Sequence, residues 1–375
     1  MTYACFFYTI SSRMKYIKNY IRKKEGDCSM KAVQVTGYGD VSKLSLVEIP
    51  IPEPKENEVL IKVKACAINN TEIWMREGAY GTDSKSGWRP EGVQFPRTPG
   101  SDITGKVVKA GKLVEESIVG KDVVLFPFIS SGEEGCEHIA DDMSFIGSEY
   151  DGGYAEYVVW PAELCFDMPL SSYSESAVFS VSGLTAWHMV KQIQAQPGET
   201  VIVTGANGGV GSLNVQIASK VFGAKVIAIT GDLENQERIK ELGATHVLSY
   251  KSETLSEDIL ELNGGPVDSV LDVVGDALFS ISLQVLKNGG KFCISGSAGG
   301  QHTNFDFRTL YLKHITMYGS VLGTKAEFKD MLKAISEGKI KPVIDKIFPL
   351  DKAKEAQVYF KNKGKLGKIL LLPEE

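Results

Sequence analysis

The chain has 375 residues, of which 43% are hydrophobic and 23% charged, and its formal net charge is -6. That length accommodates two domains, and the acidic balance excludes the basic surface that nucleic-acid binding requires. Six cysteines are scattered without a C-x-x-C pair, which excludes a disulfide framework and is typical of a cytoplasmic protein.

The first 29 residues differ in character from the rest. An apolar patch from Tyr3 to Ile10 is too short to span a bilayer, and the positive charges follow it, whereas in a secretory signal they precede it. A basic segment resting on an acidic membrane is one alternative. Because a strand-like run begins at Met30, we expect residues 1–29 to be a loosely ordered extension or the product of an upstream start codon, with no membrane anchor.

Residues 30–156 predict a small β-barrel. Short alternating runs, such as Glu58 to Lys64, Thr104 to Val108 and Asp122 to Phe126, are separated by glycine and proline clusters. A helical region follows over Ser174 to Gln194. Residues 323–375 predict helix and then a strand, Lys368 to Leu372, that returns to the barrel.

The segment 201–230 predicts a dinucleotide site. A buried strand is followed by a glycine-rich turn, a helix over Val210 to Phe222 and a second strand over Val226 to Thr230. Gly208 and Gly211 lie where the turn tightens and the backbone approaches a pyrophosphate. A plain structural turn is the alternative, but the flanking strands and helix favour nucleotide binding. The turn residues assigned to the cofactor are Ala206, Asn207, Gly208, Gly209, Val210 and Gly211.

Four further strands complete a six-stranded doubly wound parallel sheet. They are His246 to Ser249, Ser269 to Val274, Lys291 to Ser295 and Ile315 to Tyr318, with helices between most of them. The predicted fold class is therefore α/β, a Rossmann sheet joined to a β-barrel domain. We expect the barrel to comprise residues 30–183 and 323–375, and the dinucleotide-binding domain to comprise residues 184–322.

Several motifs of the chain occur together and in order in one known family. They are VKACAINNTEIWMREGAYG, FPRTPGSDITGKVV, DGGYAEYVVWP, SGLTAWHMV, the glycine turn, ELGATHVL, SVLDVVG and KGKLGKILL. From Met30 onward the chain thus resembles the medium-chain dehydrogenase/reductase superfamily, which contains zinc alcohol dehydrogenases and zinc-free quinone and enoyl reductases. The resemblance implies a GroES-like catalytic barrel, an active site between the domains, and a homodimer or homotetramer paired through Ile315 to Leu322.

The metal-binding positions depart from the zinc alcohol dehydrogenases. The resemblance places Asn69, Ser101 and Ser182 where those enzymes carry cysteine, histidine and cysteine. Amide and hydroxyl groups supply neither thiolate nor imidazole, so we expect no catalytic zinc, although the acidic neighbour Asp102 is retained. The lobe that carries four cysteines in zinc members keeps only Cys136, and we expect a solvated loop there, with an acidic metal site as the alternative.

Without a Lewis acid, the chemistry favours reduction of a quinone or an α,β-unsaturated carbonyl, because hydride addition then gives a delocalised oxyanion that hydrogen-bond donors can hold. The resemblance places three polar residues beside the nicotinamide: Asn69 as a donor or orienting group, Thr71 as a relay hydroxyl and Tyr80 as the proton donor. Packing in the cleft wall is the alternative for Tyr80. The loop from Gly81 to Gln94, with Trp88, is expected to shape substrate access.

The cofactor preference depends on the end of the second strand. NAD-preferring members carry an acidic residue where this chain has Thr230, and Thr230 with Gly231 resembles NADPH-using quinone reductases. Asp232 and Glu234 would repel a 2′-phosphate. The residues that would attract it or stack nearby are Lys225, Arg238 and Tyr250. We therefore expect NADP, with NAD as the alternative. The remaining residues that the resemblance assigns to the cofactor are Val274, Gly275, Ser295, Gly296 and Leu322.

Two other side chains have competing interpretations. Lys368, in the terminal GK, is either a contact to the cofactor phosphates or a surface lysine, and His188 is expected to be a hydrogen-bonded core or interface histidine. The prediction is a zinc-free NAD(P)H-dependent reductase of a small carbonyl or quinone substrate that the sequence does not identify. The alternatives are an alcohol dehydrogenase with atypical or no metal, and a nucleotide-binding protein with little catalytic activity.

Overall fold

A computed structural model describes residues 29–81, 93–362 and 364–373 of the chain. The predicted extension up to residue 28 and the predicted substrate-access residue Trp88 lie outside these ranges. Within them, no helix combines the length and the apolar character that crossing a bilayer requires.

The described segments form strands and helices in the predicted alternation. In chain order the strands are β1 (Ser29–Val35), β2 (Leu44–Pro50), β3 (Glu58–Ala67), β4 (Asp102–Ala110), β5 (Asp122–Leu125), β6 (Phe128–Ile129), β7 (Ser144–Phe145), β8 (Tyr157–Pro161), β9 (Cys165–Asp167), β10 (Thr200–Val203), β11 (Lys225–Thr230), β12 (His246–Ser249), β13 (Val267–Asp272), β14 (Leu286–Ile294), β15 (Thr316–Gly319), β16 (Ile344–Pro349) and β17 (Lys368–Leu372). The α-helices are α1 (Asn70–Glu77), α2 (Tyr173–Ser176), α3 (Val181–Gln192), α4 (Gly209–Gln216), α5 (Gln236–Leu242), α6 (Leu255–Asn263), α7 (Asp276–Val285), α8 (Phe307–Leu312), α9 (Lys325–Ser336) and α10 (Ala353–Phe360).

The six strands of the second half form one parallel sheet in the order β12-β11-β10-β13-β14-β15. This is the doubly wound order, so the predicted fold class is confirmed. Every residue of β10 is buried, and in β11 every residue except Lys225 is buried, because helices cover both faces of the sheet. The strand order reverses between β10 and β13, and ligands of such sheets bind at the carboxyl ends of the strands beside that point.

The first half forms a second sheet, in which β3 is the central strand. β4 pairs with β3 along one side, while β8 and β17 share the other side. The C-terminal strand β17 therefore returns to the barrel, as predicted. Its antiparallel register pairs Leu370 with Ala67 and Leu371 with Cys66, which sets Lys368 opposite Asn69.

The predicted helical region over Ser174 to Gln194 is divided into α2 and α3. Nearly every residue of α3 is buried, because this helix packs between the barrel and the Rossmann sheet. Gly183 permits that packing, since a Cβ there would lie 2.7 Å from the sulfur of Met331. The predicted domain boundary at residue 183 falls inside α3 and the one at residue 323 just before α9, and these two helices contact each other. The boundaries stay predictions.

Candidate active site and nucleotide-binding site

A tight turn connects β10 to α4 and requires glycine at two positions. Gly205 has φ +59°, and a Cβ on Gly211 would lie 2.1 Å from the Gly205 carbonyl oxygen. The N–H of Gly208 donates to that same oxygen at 2.9 Å, and Gly208 precedes α4 as its N-cap. The turn leaves the N-terminal N–H groups of α4 at the carboxyl edge of the sheet, where they suit a pyrophosphate.

Backbone hydrogen bonds hold this turn between two neighbouring segments of the protein. Ala206 is fully buried, and its N–H donates to the carbonyl of Ile229 at 3.1 Å. Asn207 contacts the loop that precedes β17, since its carbonyl accepts from the N–H of Gly367 at 2.9 Å. The turn therefore lies between the sheet and the C-terminal loop, with Val210 in the first turn of α4.

At the end of β11, Thr230 is buried and its Oγ1 has no hydrogen-bond partner among the described residues. Buried hydroxyls are normally paired, so this orphaned atom fits a ligand's ribose oxygen. The Tyr250 ring lies against Gly231, where a Cβ would be 3.1 Å from the ring. The Asp232 carboxylate accepts from the N–H of Glu234 at 3.3 Å, within its own loop.

Lys225 is a correction to the sequence prediction. It is the first residue of β11, whereas the ribose end of the site lies after the last residue of that strand. A strand rises about 3.3 Å per residue, so the two ends of β11 are roughly 17 Å apart. Lys225 therefore lies at the opposite edge of the sheet and does not approach a 2′-phosphate.

The predicted residues after β13 and β14 lie at the same carboxyl edge. Gly275 has φ +81°, and its N–H and that of Val274 donate to the Asp272 carboxylate at 2.8 and 3.2 Å. Ser295 donates its N–H to the Asp272 carbonyl at 2.9 Å, and Gly296 follows it. Burial raises the pKa of Asp272, although a hydrogen bond from Thr204 opposes the shift. This carboxylate fixes the loop that borders the nucleotide crevice.

Leu322 is the last of the residues predicted to bind the cofactor. It is buried and has φ +53°, which is uncommon for a branched side chain. It follows β15 at the carboxyl edge of the sheet. The structure thus brings the predicted cofactor residues from the ends of all six strands to one edge.

A buried ammonium lies where the barrel meets α3. Lys368 Nζ is 2.8 Å from Asp102 Oδ2, 2.5 Å from Asn69 Oδ1 and 2.9 Å from Ser182 Oγ. All four side chains are buried, Asp102 completely. An ammonium has three N–H donors, so these partners account for all of them. Lys368 is therefore neither a surface lysine nor, in this conformation, a phosphate contact.

The partners of Lys368 are also bonded to one another. Ser182 donates to Asn69 Oδ1 at 3.0 Å, and Asn69 Nδ2 donates to Asp102 Oδ2 at 3.1 Å. The second Asp102 oxygen accepts from the N–H of Val181 at the start of α3. We call Lys368, Asp102, Asn69 and Ser182 the ammonium cluster. Because both polar atoms of the Asn69 side chain are engaged in this cluster, its geometry is that of an orienting group.

Glu72 forms a second buried acidic site next to the ammonium cluster. Its carboxylate accepts from the N–H of Asn69 at 2.7 Å, and from the N–H and Oγ of Ser101 at 3.1 and 2.7 Å. Burial raises the pKa of Glu72, while the Ser101 hydrogen bond lowers it. Ser101 is therefore directed to Glu72, whereas Asn69 and Ser182 face Lys368.

These residues do not fit a catalytic zinc ion. The positions offer an amide oxygen and two hydroxyls, whereas protein zinc is held by thiolates, imidazoles and carboxylates. The Lys368 ammonium already binds two of the three positions. Within residues 29–81, 93–362 and 364–373, no three His, Cys, Asp or Glu side chains are arranged to hold a metal. In the lobe of Cys136, Asp142 instead accepts from the N–H of Ser131.

Thr71, in the first turn of α1, and Tyr80, just after its end, lie together. Gly78 ends this helix in the left-handed conformation, and the Tyr80 ring meets Trp74 edge to face with 6.0 Å between centroids. The Thr71 side chain hydrogen-bonds to the Tyr80 hydroxyl. Burial raises the pKa of Tyr80 to about 12, so the phenol is protonated at neutral pH. The predicted proton donor and relay hydroxyl are thus in contact, and their catalytic roles stay predictions.

His188 has the predicted hydrogen bonds. Its Nδ1 lies 2.9 Å from Glu327 Oε2, and Gln192 lies 2.6 Å from its Nε2. Glu327 also accepts from the N–H of Thr324 at 3.0 Å. These contacts join α3 to α9 and lie outside the ammonium cluster.

The sequence does not single out Gly205 and Glu72, and it does not reveal the contacts of Lys368. Gly205, which has the left-handed conformation in the turn, was hidden among neighbouring glycines. Glu72 lies in the motif NNTE, and its position three residues after Asn69 is a capping-box signal for burial of its carboxylate at the start of α1. Lys368 gave no local signal, because its partners come from distant segments and only the β17–β3 register brings them together.

Comparisons with known proteins agree with this architecture. Residues 55–170 match the alcohol dehydrogenase GroES-like domain family, and residues 209–337 match the zinc-binding dehydrogenase family. The chain is 30% identical over 354 residues to an NAD-dependent alcohol dehydrogenase of Sulfurisphaera tokodaii, covering 92% of this chain and 100% of that protein. It is equally 30% identical over 358 residues to the human quinone oxidoreductase, covering 92% and 99%.

A solved structure shows the same arrangement of domains. The cobalt- and zinc-bound thermostable alcohol dehydrogenase from Pyrobaculum aerophilum aligns with a TM-score of 0.81 at 30% identity, over 92% of this chain and 100% of that chain. Its metals belong to that protein and do not decide the metal content of this one. The sequence identities, the GroES-like barrel and the Rossmann sheet together show that the chain belongs to the medium-chain dehydrogenase/reductase superfamily and is an NAD(P)-dependent oxidoreductase.

Proposed function

We propose that this oxidoreductase reduces quinones or α,β-unsaturated carbonyls with NADPH and without zinc. One observation carries the proposal: two of the three zinc-ligand positions, Asn69 and Ser182, are bonded to the buried Lys368 ammonium. A ketone or alcohol substrate develops localised charge on one oxygen, for which a Lewis acid is the usual support. A quinone or enone delocalises that charge, so hydrogen-bond donors suffice.

The glycine turn and the ends of β11, β13 and β14 would hold the cofactor. When bound, the reduced nicotinamide supplies the hydride. NADPH is favoured because Thr230 presents an unpaired hydroxyl at the position that is acidic in NAD-preferring members. The nearby Asp232 carboxylate accepts from a backbone N–H of its own loop, and its repulsion of a 2′-phosphate is the argument for NAD as the alternative.

Tyr80 would act on the substrate oxygen. A phenol whose pKa is about 12 stays protonated and can donate a hydrogen bond to the developing oxyanion. The Thr71 hydroxyl, in contact with the phenol, would orient it and relay the proton. Asn69 would orient the site through the ammonium cluster.

The test is oxidation of NADPH and NADH against a quinone, an enone, an enoyl thioester and a simple ketone. Turnover of quinone or enone with a preference for NADPH is the expected result. Activity confined to the ketone would instead support an alcohol dehydrogenase. Tight NADPH binding without turnover on any acceptor would support a nucleotide-binding protein with little catalytic activity.

We also propose that two chains pair through β15, the edge strand of the Rossmann sheet. The neighbouring helix α8 exposes Phe307, Tyr311 and Leu312, each more than half exposed in the single chain. Large exposed apolar side chains beside a sheet edge favour association. Light scattering on the eluted protein should give at least twice the mass of one chain, and replacing Tyr311 and Leu312 by aspartate should give one chain. A wild-type protein that elutes as a single chain would contradict this pairing.

A further inference from the structure

The ammonium cluster lies on the side of the site where zinc-type relatives hold their metal. Three different segments supply the partners of Lys368: the residue before α1, the first residue of β4 and the second residue of α3. Two partners, Asn69 and Ser182, occupy metal-ligand positions, and the third, Asp102, is the acidic neighbour. The ammonium lies within 2.9 Å of all three.

The charge of Lys368 has a defined counterion. Asp102 is completely buried, and among the described residues its other donors besides Lys368 are neutral, the Asn69 amide and the Val181 N–H. Glu72 adds a second buried carboxyl group close by. A buried carboxylate without a cation is strongly disfavoured. This pocket therefore requires a positive charge, which either a metal or a side chain can provide.

We infer that Lys368 is an internal cation that takes the place of a metal in this protein. It is a positioning residue, because it fixes the Asn69 amide and the Asp102 carboxylate, and it closes the pocket to divalent ions. The inference rests on the proposed zinc-free function for its catalytic meaning.

The route of the side chain supports a dedicated role. The β17–β3 register sets Lys368 opposite Asn69, and its aliphatic stem passes the glycine turn. A Cβ on Gly209 would lie 2.6 Å from Lys368 Cδ and 3.2 Å from Ser182 Oγ. The absence of a side chain at Gly209 therefore leaves the space through which the ammonium reaches Asp102.

A cobalt titration tests the exclusion of metal without any need for turnover. In the full chain, Asn69→Cys and Ser182→Cys together supply two thiolates beside Asp102. We expect this double variant to show weak or no Co²⁺–thiolate absorption while Lys368 is present. Adding Lys368→Met should raise Co²⁺ affinity at least about tenfold, because the ammonium no longer repels the ion. Adding Lys339→Met, at a surface lysine, is the matched control and should change nothing. Equal Co²⁺ affinity with and without Lys368 would overturn the inference.

A stability cycle covers the case in which a variant folds poorly. Lys368→Met alone should lower the melting temperature, because it leaves Asp102 unpaired, and adding Asp102→Asn should recover much of the loss. If adding Asp102→Asn recovers no stability, the ion pair is refuted.

Kinetics of the active protein give a further test of Lys368. Lys368→Met should lower kcat while the NADPH dissociation constant changes by less than about threefold. Lys368→Arg, which keeps the charge, should retain more activity than Lys368→Met. A large loss of NADPH affinity with kcat unchanged would instead assign Lys368 to the phosphates.

These arms separate the inference from the proposed function. If no acceptor is turned over, the proposed function fails, but the cobalt titration and the stability cycle still decide the role of Lys368. If a quinone or enone is turned over but Co²⁺ affinity is equal with and without Lys368, the proposed function stands and the inference about Lys368 fails.

Discussion

Replacing Tyr80 by phenylalanine separates the proton-donor role from the packing role. The substitution removes one hydroxyl and keeps the ring that meets Trp74. A positioned general acid contributes typically about 10²–10⁴-fold, so kcat for an enone should fall at least about 100-fold. The hydrogen bond with Thr71 is lost from the folded state, and a lost hydrogen bond of this kind should lower the free energy of unfolding by about 1 kcal/mol.

The assay is steady-state NADPH oxidation with an enone, together with a urea unfolding curve for each variant. The matched control is Trp74→Leu, which removes the aromatic contact and leaves the hydroxyl. Because the pKa of Tyr80 is raised to about 12, the acid stays protonated at any ordinary assay pH, and kcat of the wild type should show no loss of this acid up to about pH 9.

Two results would refute this reasoning. If Tyr80→Phe leaves kcat unchanged, the hydroxyl is not the proton donor. If Trp74→Leu lowers kcat as much as Tyr80→Phe does, the ring acts by packing in the cleft wall.

Three further predictions concern the nucleotide turn, cofactor choice and acid stability. Gly211→Ala should weaken NADPH binding at least about tenfold by calorimetry, because the added Cβ would lie 2.1 Å from a backbone oxygen, while Gly37→Ala, with open space around it, should have no effect. Thr230→Asp should raise the dissociation constant of NADPH roughly tenfold and leave that of NADH little changed, because the carboxylate repels the 2′-phosphate. Equal changes in both dissociation constants would show that residue 230 does not lie beside the 2′-phosphate. The pKa of Glu327 is lowered from 4.5 to about 2, through hydrogen bonds from His188 and Thr324 that outweigh its burial. Its carboxylate therefore stabilises the fold above about pH 4.5, by roughly 3 kcal/mol at most, and this contribution is lost as the pH falls towards 2. The stability difference between wild type and Glu327→Gln, measured by urea unfolding, should shrink over that interval; a constant difference would contradict the assignment.

The sequence predicted the Rossmann sheet well because each buried strand is a short apolar run bounded by turn residues. The ends of the strands were predicted less accurately. Val273 and Val274 continue the apolar run, yet they lie beyond β13, because the Asp272 carboxylate binds the N–H groups of Val274 and Gly275 and turns the chain. Such a side-chain-to-backbone contact is not visible in a hydrophobic pattern.

The candidate site was predictable where a local motif or the family resemblance placed it. The glycine turn belongs to this group. The resemblance also named Thr71 and Tyr80, but only the structure shows that they are in contact. The predicted role of Lys225 is wrong because this residue begins β11, whereas the cofactor residues follow the strand ends. The sequence does not decide whether Lys368 is buried or exposed. The contacts that bury it depend on the register between β17 and β3, and on Ser182 of α3, which is more than 180 residues away in the chain.

The central claim is that the reaction proceeds without zinc, and it is tested most directly by one comparison. The initial rate of NADPH oxidation with a quinone or an enone is measured on the same protein before and after dialysis against a strong chelator, with zinc content determined for both samples. The account predicts a rate that changes by less than about twofold and does not follow the zinc content. A rate that is lost with the metal and restored by added Zn²⁺ would contradict it.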